Sequence, residues 1–423
     1  MLAADTGARR RLRKNSRQFQ ADNTLKATIS LVAEPAEGLR LPERQGDMPP
    51  RIAEYLATHE FDGPCVVVDI DVVEHNYITM SRALPIGRIF YAVKANPADA
   101  VIERLAMLDA CFDAASPSEI DLCLSYGVSP DRISYGNTIK KQRDIQYAYD
   151  RGVRMFAFDS DAELGKLAES APGSMVYCRV LMECEGAEWP LSRKFGCEPE
   201  MALRLLVKAN EMGLDPYGLS FHVGSQQTDL SQWDVALSRV SGLFEDARRV
   251  GVNLRMVNLG GGLPARYRSD VYPLEQYADV IMGAMMRHFG PALPEMIFEP
   301  GRSIVGDAGV IQAEVVLISR KSDDDDTRWV YLDIGKFSGL AETMDESIKY
   351  RFVTPHDGGE TGPVKLAGPT CDSADILYER AGYKLPLDLK IGDKIQILST
   401  GAYTTTYASV NFNGFAPLQS VCI

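Results

Sequence analysis

A single lysine ends an apolar run of the sequence, and its position suggests covalent chemistry. Residues 88–93 read RIFYAV and lead directly into Lys94, after which Asn96 and Pro97 end the run. Burial disfavours a charged ammonium and lowers the pKa of a lysine, which helps a lysine to attack an aldehyde carbon. A lysine that only extends from a strand end towards solvent would give the same local sequence, so the other residues of the predicted site must distinguish the two interpretations.

Two glycine-containing stretches further along the chain can hold a phosphate group. Residues 258–264 read NLGGGLP and residues 299–303 read EPGRS. Consecutive glycines leave backbone N–H groups open to an anion, and the guanidinium of Arg302 adds charge-assisted hydrogen bonds. A tight turn would also explain the glycines alone. Together with Lys94, however, a phosphate site indicates a cofactor that carries both a phosphate and an aldehyde, and pyridoxal phosphate is that molecule.

Two further residues fit a pyridine ring. The ring nitrogen needs an acidic partner, because a protonated ring accepts electrons better, and Glu299 stands three residues before Arg302. His222, in the stretch FHVGS, could lie flat against the ring, although a buried histidine with a structural role would give the same sequence. Together with Lys94, these residues predict an enzyme that uses pyridoxal phosphate.

Strands and helices alternate from residue 63 to residue 303, and this pattern predicts how the polar residues are positioned. Eight short β-rich runs, from IFYAVKAN to MIFEPGRS, are separated by segments whose apolar residues recur at helical spacing. This pattern predicts a (β/α)8 TIM-type barrel over residues 70–308, with its chemistry at the carboxyl ends of the strands. The polar and glycine residues at those ends are Lys94, Asp113, Asn137, Arg179, His222, Gly260, Gly261, Gly262, Glu299 and Arg302.

The regions on either side of the barrel differ from it in composition. Residues 309–423 contain β runs bounded by Gly, Pro and Asp without intervening helices, which predicts a C-terminal antiparallel β domain joined by residues 48–69. Residues 1–47 start with a basic stretch and lack an apolar core, so we expect a flexible N-terminal tail.

Composition and charge argue against several classes of function. The net charge of −13 argues against nucleic acid as a partner, and no stretch reaches the roughly 20 apolar residues that a membrane helix needs. The eight cysteines form no CxxC pair and are typical of reduced thiols, so we expect a cytoplasmic enzyme. We expect no metal site.

Seven motifs, in one order, carry a resemblance to a known family over residues 50–423. They are YAVKAN, FDAAS, FHVGSQ, LGGG, EPGR, GPTCDSAD and GAYTTTYASVNFNGF. The chain resembles the fold type III pyridoxal-phosphate decarboxylases, in which an alanine-racemase-like barrel is joined to a β domain. The resemblance implies that Lys94 binds the cofactor aldehyde, that Glu299 contacts the pyridine nitrogen and that His222 stacks on the ring. It also implies the other residues near the cofactor: Asp113, Arg179, Ser225, Gly260, Gly261, Gly262, Gly301, Arg302 and Tyr403.

The motif GPTCDSAD implies a second part of the site. In the ornithine decarboxylase branch its cysteine returns a proton to the carbon that has lost CO2, and the next aspartate faces the distal amine. The corresponding residues here are Cys371 and Asp372. Both are expected to reach into the barrel of a partner subunit, which implies a homodimer with shared active sites. A thiol suits the role because its free pKa is about 8.5, although a loop with a buried thiol would also explain the motif without the family.

The substrate depends on few residues. Diaminopimelate decarboxylases typically have glutamate after the cysteine, whereas this chain has Asp372, which favours ornithine. The predicted substrate contacts are Asp345, Asp372 and Tyr403, with Glu346 or Glu342 as alternatives to Asp345 because the residues around it depart from the animal pattern. Lysine is one methylene longer than ornithine, a difference worth about 1–3 kcal/mol, so we expect activity on ornithine, lysine or both. Diaminopimelate decarboxylation and an inactive, antizyme-inhibitor-like binding protein are the alternatives.

Overall fold

The structure, a computed structural model, describes residues 40–183, 185–189 and 194–423. A helix, α1 (Pro50–Thr58), and a strand, β1 (Cys65–Val68), come first. The following elements are α2 (Ile70–Ala83), β2 (Gly87–Ala92), α3 (Asp99–Met107), β3 (Cys111–Ala114), α4 (Pro117–Ser125), β4 (Ile133–Tyr135), α5 (Gln142–Asp150), β5 (Met155–Phe158), α6 (Asp161–Ser170), β6 (Met175–Arg179), β7 (Ala187–Trp189), α7 (Pro199–Glu211), β8 (Asp215–Ser220), β9 (Ser225–Gln227), α8 (Ser231–Arg249), β10 (Met256–Asn258), α9 (Leu274–Phe289), β11 (Glu295–Phe298) and α10 (Arg302–Val305). The last elements are β12 (Gly309–Ser319), β13 (Arg328–Leu332), β14 (Arg351–Val353), β15 (Thr361–Ala367), β16 (Ile376–Pro386), β17 (Lys394–Leu398) and β18 (Gln419–Cys422).

Eight parallel strands close into a barrel in the order β2, β3, β4, β5, β6, β8, β10, β11. Successive side chains along each strand point to opposite faces of the sheet, one towards the inside of the barrel and the next towards the helices. Phe90 packs in one buried cluster with Tyr177 and Met256, whereas the next residue, Tyr91, belongs to the larger cluster that also contains Phe112 and helix residues. β2 is therefore apolar on both faces, as parallel barrel strands commonly are. The predicted (β/α)8 barrel is confirmed, and each of its eight strands overlaps its predicted run, although β8 begins four residues before the run LSFHVGS.

A second sheet follows the barrel. Its order is β14, β17, β12, β13, β15, β16, and β1 pairs with both β12 and β18. Most of these pairs are antiparallel, as predicted, but β13 runs parallel to β15 and β1 runs parallel to β18. The sheet is therefore mixed. The sequence pattern missed the parallel pairs because the long connections between these strands are irregular and carry no helical periodicity.

The second sheet contacts the barrel at the end of β2, beside Lys94. The backbone N–H of Tyr403 donates to the carbonyl of Ala95 (2.8 Å), and the hydroxyl of Thr406 donates to the carbonyl of Lys94 (3.1 Å). The side-chain amide of Asn96 donates to the carbonyl of Gly401 (2.9 Å). These bonds fix the loop that carries Lys94 against a loop that is more than 300 residues away in the sequence.

The first described residues also contact the barrel. Asp47 accepts hydrogen bonds from Arg266 (2.6 Å) and Arg351 (2.9 Å), which lie after β10 and on β14. Residues 1–39, which make up most of the predicted flexible tail, lie outside the described residues. Within the part of the chain that the structure covers, no helix is both long and apolar enough to span a bilayer.

Candidate active site

A cavity of about 290 Å³ opens at the carboxyl ends of the barrel strands. It collects most of the residues that the sequence placed there: Lys94, Asp113, Asn137, Arg179, His222, Ser225, Gly261, Gly262, Glu299, Gly301, Arg302 and Tyr403. Its wall also contains buried polar atoms without a hydrogen-bond partner in the structure, namely Oδ1 of Asp113 and Oγ1 of Thr138. Such atoms indicate a site built for a polar ligand, because an unpaired buried polar group is costly.

Lys94 lies in a short 3₁₀ turn, Val93–Ala95, directly after β2. Its Nζ is 2.9 Å from Oδ2 of Asp113, which lies on the neighbouring strand, β3, in register with Ala92. Burial acts to lower the pKa of the ammonium, but the negative charges of Asp113, Tyr403 and Glu299 hold it above the ordinary value. The expectation of an apolar neighbourhood that lowers this pKa is therefore wrong. The strand itself is apolar, but the next strand supplies a carboxylate.

Glu299 directly follows β11, beside the glycine-rich turn, and is held by a neighbouring strand. The side-chain amide of Asn258, on β10, donates to its Oε1 (2.5 Å). Burial and the nearby charge of Asp113 raise the pKa of Glu299 to about 7, against the effects of Lys94, Asn258 and Arg179. A carboxyl group with this pKa can share a proton with a basic ring nitrogen near neutral pH.

His222 presents a neutral ring to the cavity. Burial, together with the positive charges of Arg179 and Lys94, lowers its pKa to about 3. Its Nδ1 accepts a hydrogen bond from the backbone N–H of Gly224 (2.9 Å), so the remaining proton lies on Nε2. A neutral, fixed imidazole suits stacking on a flat aromatic ligand.

Three glycines shape a corner of the cavity that has no room for side chains. A Cβ atom at Gly261 would lie 2.8 Å from the carbonyl oxygen of Glu299, and one at Gly301 would lie 2.7 Å from Cβ of Ala95. Gly262 has a φ of 103° and would place a Cβ 2.8 Å from the carbonyl of Gly224. Gly260 lies outside the cavity wall, and its N–H donates to Oδ1 of Asn258 (2.8 Å), so it shapes the turn. Backbone N–H groups can approach an anion closely in this corner.

Comparison with known proteins identifies the family. The family described as "Pyridoxal-dependent decarboxylase, pyridoxal binding domain" matches residues 70–306. A lysine/ornithine decarboxylase from Selenomonas ruminantium is 34% identical over 354 residues, which cover 83% of this chain and 87% of that protein. The chain belongs to the pyridoxal-dependent decarboxylases. It is therefore a lyase whose cofactor is pyridoxal phosphate, as the sequence predicted.

Two further relatives extend the comparison. Antizyme inhibitor 2 from Xenopus laevis is 34% identical over 364 residues, covering 82% of this chain and 78% of that protein. The crystal structure of lysine/ornithine decarboxylase from Vibrio vulnificus complexed with cadaverine matches with a TM-score of 0.79 and 31% identity, covering 90% of this chain and 100% of that one. The fold of this decarboxylase is thus the fold of a protein that binds a diamine.

Pyridoxal phosphate fits the residues of the cavity. The corner formed by Gly261, Gly262 and Gly301 offers backbone donors and no side-chain bulk, as a phosphate requires. The cavity also offers an amine on Lys94 and a carboxyl group on Glu299 whose pKa is about 7. An anionic phosphate, an aldehyde and a basic ring nitrogen each find a complementary group.

Arg302 is fixed by an acid that the sequence analysis assigned elsewhere. Its guanidinium is almost fully buried and makes a bidentate ion pair with Glu342, at 2.8 and 2.5 Å, and donates to the hydroxyl of Tyr267 (2.6 Å). Its Nε and Nη2 also donate to Oγ of Ser225, at 3.3 and 3.2 Å. Because Ser225 Oγ accepts these bonds, its own proton is directed away from Arg302 and is free for an anion. Glu342 was missed as the partner of Arg302 because no local pattern links residues 40 positions apart.

The remaining predicted residues lie outside the cavity of their own chain. Cys371 is exposed, with Sγ 3.4 Å from Oδ1 of Asn413, and Asp372 is exposed and accepts from the N–H of Ala374 (2.8 Å). Asp345 is also exposed, with a φ of 54°. None of the three lines the cavity within one chain, which is the arrangement that a site shared between subunits requires.

The two alternatives to Asp345 are both engaged within the chain. Glu342 pairs with Arg302, and Glu346 accepts hydrogen bonds from the backbone N–H groups of Glu379 (2.8 Å) and Arg380 (2.7 Å). The carboxylate of Asp345 has no hydrogen bond or ion pair to any residue in the described ranges. Of the three acids, Asp345 is thus the one that remains available to a ligand.

Glu299→Gln is expected to lower kcat about 10²–10³-fold, because an amide cannot hold the ring nitrogen in its protonated form. The cofactor should remain bound, since the glycine corner and Lys94 are unchanged, and its visible absorbance should report this. Glu211→Gln, at an exposed carboxylate at the end of α7, is the matched control and should retain full activity. Turnover of Glu299→Gln within threefold of the unmodified enzyme would contradict the role assigned to Glu299.

Proposed function

We propose that this decarboxylase converts L-ornithine and L-lysine into putrescine and cadaverine, with two active sites shared across a cytoplasmic homodimer. The observation that carries the proposal is the placement of Cys371, Asp372 and Asp345. All three are exposed on the second sheet's side of the molecule and lie outside the chain's own cavity. Acids at this place suit a substrate with a distal ammonium. The seven described cysteines are free thiols, as in a reducing compartment.

The cavity residues divide between the cofactor and the substrate. Lys94 would bind the aldehyde carbon of the cofactor, Glu299 would contact its ring nitrogen and His222 its ring face, with Asp113 and Arg179 beside them. Ser225 and the glycine corner would hold the phosphate, with Gly260 shaping the turn and with Arg302 and Tyr403 nearby. The bound cofactor supplies the electron sink for decarboxylation. The chain's own residues orient the substrate and move protons.

Lys94 and Cys371 handle the protons. Lys94 must lose a proton before it can act as a nucleophile, and the carboxylate of Asp113, 2.9 Å away, is the nearest group that can accept it. After CO2 has left, the thiol of Cys371 from the partner chain delivers a proton to the former α-carbon. Asn413 positions this thiol, because its Oδ1 accepts from both the backbone N–H (3.1 Å) and Sγ (3.4 Å) of Cys371.

The loop that carries Cys371 is held rigidly by Asp375. This buried carboxylate accepts from the backbone N–H of Lys336 (2.7 Å) and from the N–H (3.1 Å) and hydroxyl (2.7 Å) of Thr370. The loop can therefore present Cys371 and Asp372 outward without support from a ligand. A preformed donor of this kind is what a second subunit would need.

An apolar surface beside this loop supports the dimer. Tyr407, Val410, Phe412 and Phe415 are exposed, with Val410 at 76% of its maximum. The ring of Phe412 packs against Phe337 with a centroid distance of 4.9 Å, so the surface continues towards the loop that precedes Asp345. Exposed apolar groups that cluster in one place mark contact surfaces. The same contact would carry Cys371 and Asp372 into the partner's cavity.

Asp372→Asn and Asp345→Asn are each expected to lower kcat/KM for ornithine and lysine by a factor that corresponds to about 2–5 kcal/mol of lost binding free energy. The reason is that the distal ammonium loses one carboxylate in a buried interface. The cofactor absorbance should remain, since neither acid lines the cofactor cavity. Asp388→Asn, at an exposed acid between β16 and β17, is the control and should have no effect. If both substrates kept their efficiency within a factor of two, the role of these acids in binding the distal amine would be refuted.

A further inference from the structure

A second cavity, of about 250 Å³, lies beside the loops that follow β10 and β11. One wall is helix α2, another is the loop that leads into α9, and residues 41–46 close a third side. The cavity shares Leu263 with the active site, and it contains Ser303, the residue after Arg302. It is therefore a separate cavity that contacts the two loops of the glycine corner, which is formed by Gly261, Gly262 and Gly301.

Four polar atoms of this second cavity lack hydrogen-bond partners among the described residues. Both carboxylate oxygens of Asp307, Oγ of Ser303 and Nδ1 of His75 are buried without a hydrogen bond of normal geometry. Asp307 is only 4% exposed. Gln45, Ser399 and the backbone N–H of Arg266 approach its carboxylate and act to lower its pKa, but burial dominates and raises it. A buried acid in this state needs a hydrogen-bond donor or a cation to be satisfied.

The charge of the wall selects the sign of a ligand. Among the described residues that line the second cavity, no lysine or arginine occurs, and the acids Asp307 and Glu275 are present. Burial lowers the pKa of His75, so its imidazole is neutral near pH 7. An anionic ligand would face the two carboxylates and no cationic side chain among these residues. A cationic ligand would face carboxylates of the opposite charge.

The rest of the wall is apolar. Leu41, Val72, Met80, Leu263 and Tyr277 supply aliphatic and aromatic surface, and each is buried or packed against the main core. The space is similar in volume to the active-site cavity, at about 250 Å³ against 290 Å³. A short aliphatic chain therefore fits both the size and the surface, while its charged end would lie against Asp307.

We infer that the second cavity binds a linear aliphatic amine, with the ammonium on Asp307 and Ser303 and the hydrocarbon chain along Val72, Met80 and Leu263. The cavity and its preference for a cation do not depend on the proposed reaction. The choice of cadaverine as the probe does rest on the proposed function, because it would then be a product. Since the second cavity contacts both loops of the glycine corner, an amine bound there would act beside the cofactor without entering the active site.

The test counts bound amine per chain. The holoenzyme is titrated with cadaverine in a calorimeter, and two molecules per chain are expected, one in the active site and one in the second cavity. Asp307→Asn should weaken the second event at least about thirtyfold, because the ammonium loses its carboxylate. Thr79→Phe, on the cavity wall of α2, should remove the event by filling the space. Asp279→Asn, at an exposed acid of α9 outside the cavity, should keep both events.

Two controls separate this site from the catalytic one. Pentanoate has a similar chain length and the opposite charge, and it should show no binding in the second cavity. Turnover of ornithine or lysine by Thr79→Phe should match the unmodified enzyme, and this variant decides the question if Asp307→Asn does not fold. If Thr79→Phe binds as many molecules of cadaverine per chain as the unmodified enzyme, the inference is overturned, whether or not the enzyme decarboxylates either amino acid.

Discussion

Lys94→Ala is expected to abolish turnover, with a loss of about 10³-fold or more in kcat. In the proposed role of Lys94, its amine binds the cofactor covalently and releases the product, and no other lysine lines the cavity among the described residues. Exposed Lys141, after β4, provides the control, and Lys141→Ala should keep full activity. Purified enzyme should show the visible absorbance of a bound cofactor, and this band should be lost or shifted in Lys94→Ala.

Chemical trapping gives the same prediction an independent readout. Borohydride reduction of the holoenzyme should attach the cofactor permanently to the peptide that contains Lys94, as measured by mass spectrometry. Unchanged kcat in Lys94→Ala, or a labelled peptide that contains another lysine such as Lys140, would show that Lys94 is not the residue that holds the cofactor.

Mixing two inactive variants is expected to restore activity. Lys94→Ala lacks the amine of the barrel, and Cys371→Ala lacks the thiol on the other part of the chain. When subunits exchange at random, half of the dimers contain one chain of each kind. In each mixed dimer one site has both intact halves and the other has neither, so total activity should recover to roughly a quarter of the unmodified enzyme.

The exchange must be confirmed before the activity is interpreted. Native mass spectrometry can detect mixed dimers if one variant carries an isotope label. A mixture of labelled and unlabelled Lys94→Ala gives the background activity of exchanged dimers that have no intact site. Absence of recovery in a sample that contains mixed dimers would mean that Cys371 serves the cavity of its own chain. This outcome would also remove the support that the exposed placement of Cys371 gives to a shared site.

The barrel and most of the cavity could be predicted from the sequence because both follow local rules. Short apolar strands alternate with helices, and the barrel rule places the residues that end these strands on one rim. Lys94, His222 and Glu299 each end or follow a strand that the sequence marked clearly. Their convergence required only the order of the strands, which parallel connections largely determine.

The errors concern contacts between residues that are far apart in the sequence. The apolar run before Lys94 gave no sign that Asp113 stands in register on the next strand, and this carboxylate reverses the expected direction of the pKa shift. Glu342 was considered as a substrate contact, but it pairs with Arg302. The parallel pair of β13 and β15 follows from a long irregular connection. Such pairings depend on tertiary packing, which local sequence patterns do not contain.

The central claim is the substrate, and one steady-state comparison tests it most directly. The holoenzyme is assayed for CO2 release with L-ornithine, L-lysine and diaminopimelate, and the amine products are identified by mass. We expect putrescine and cadaverine as products. The kcat/KM values for the two substrates should differ by a factor that corresponds to no more than about 1–3 kcal/mol. Diaminopimelate should be at least about 100-fold poorer, because its distal carboxylate would face Asp372 and Asp345. Preference for diaminopimelate, or no CO2 from ornithine or lysine by holoenzyme with bound cofactor, would contradict the proposed function.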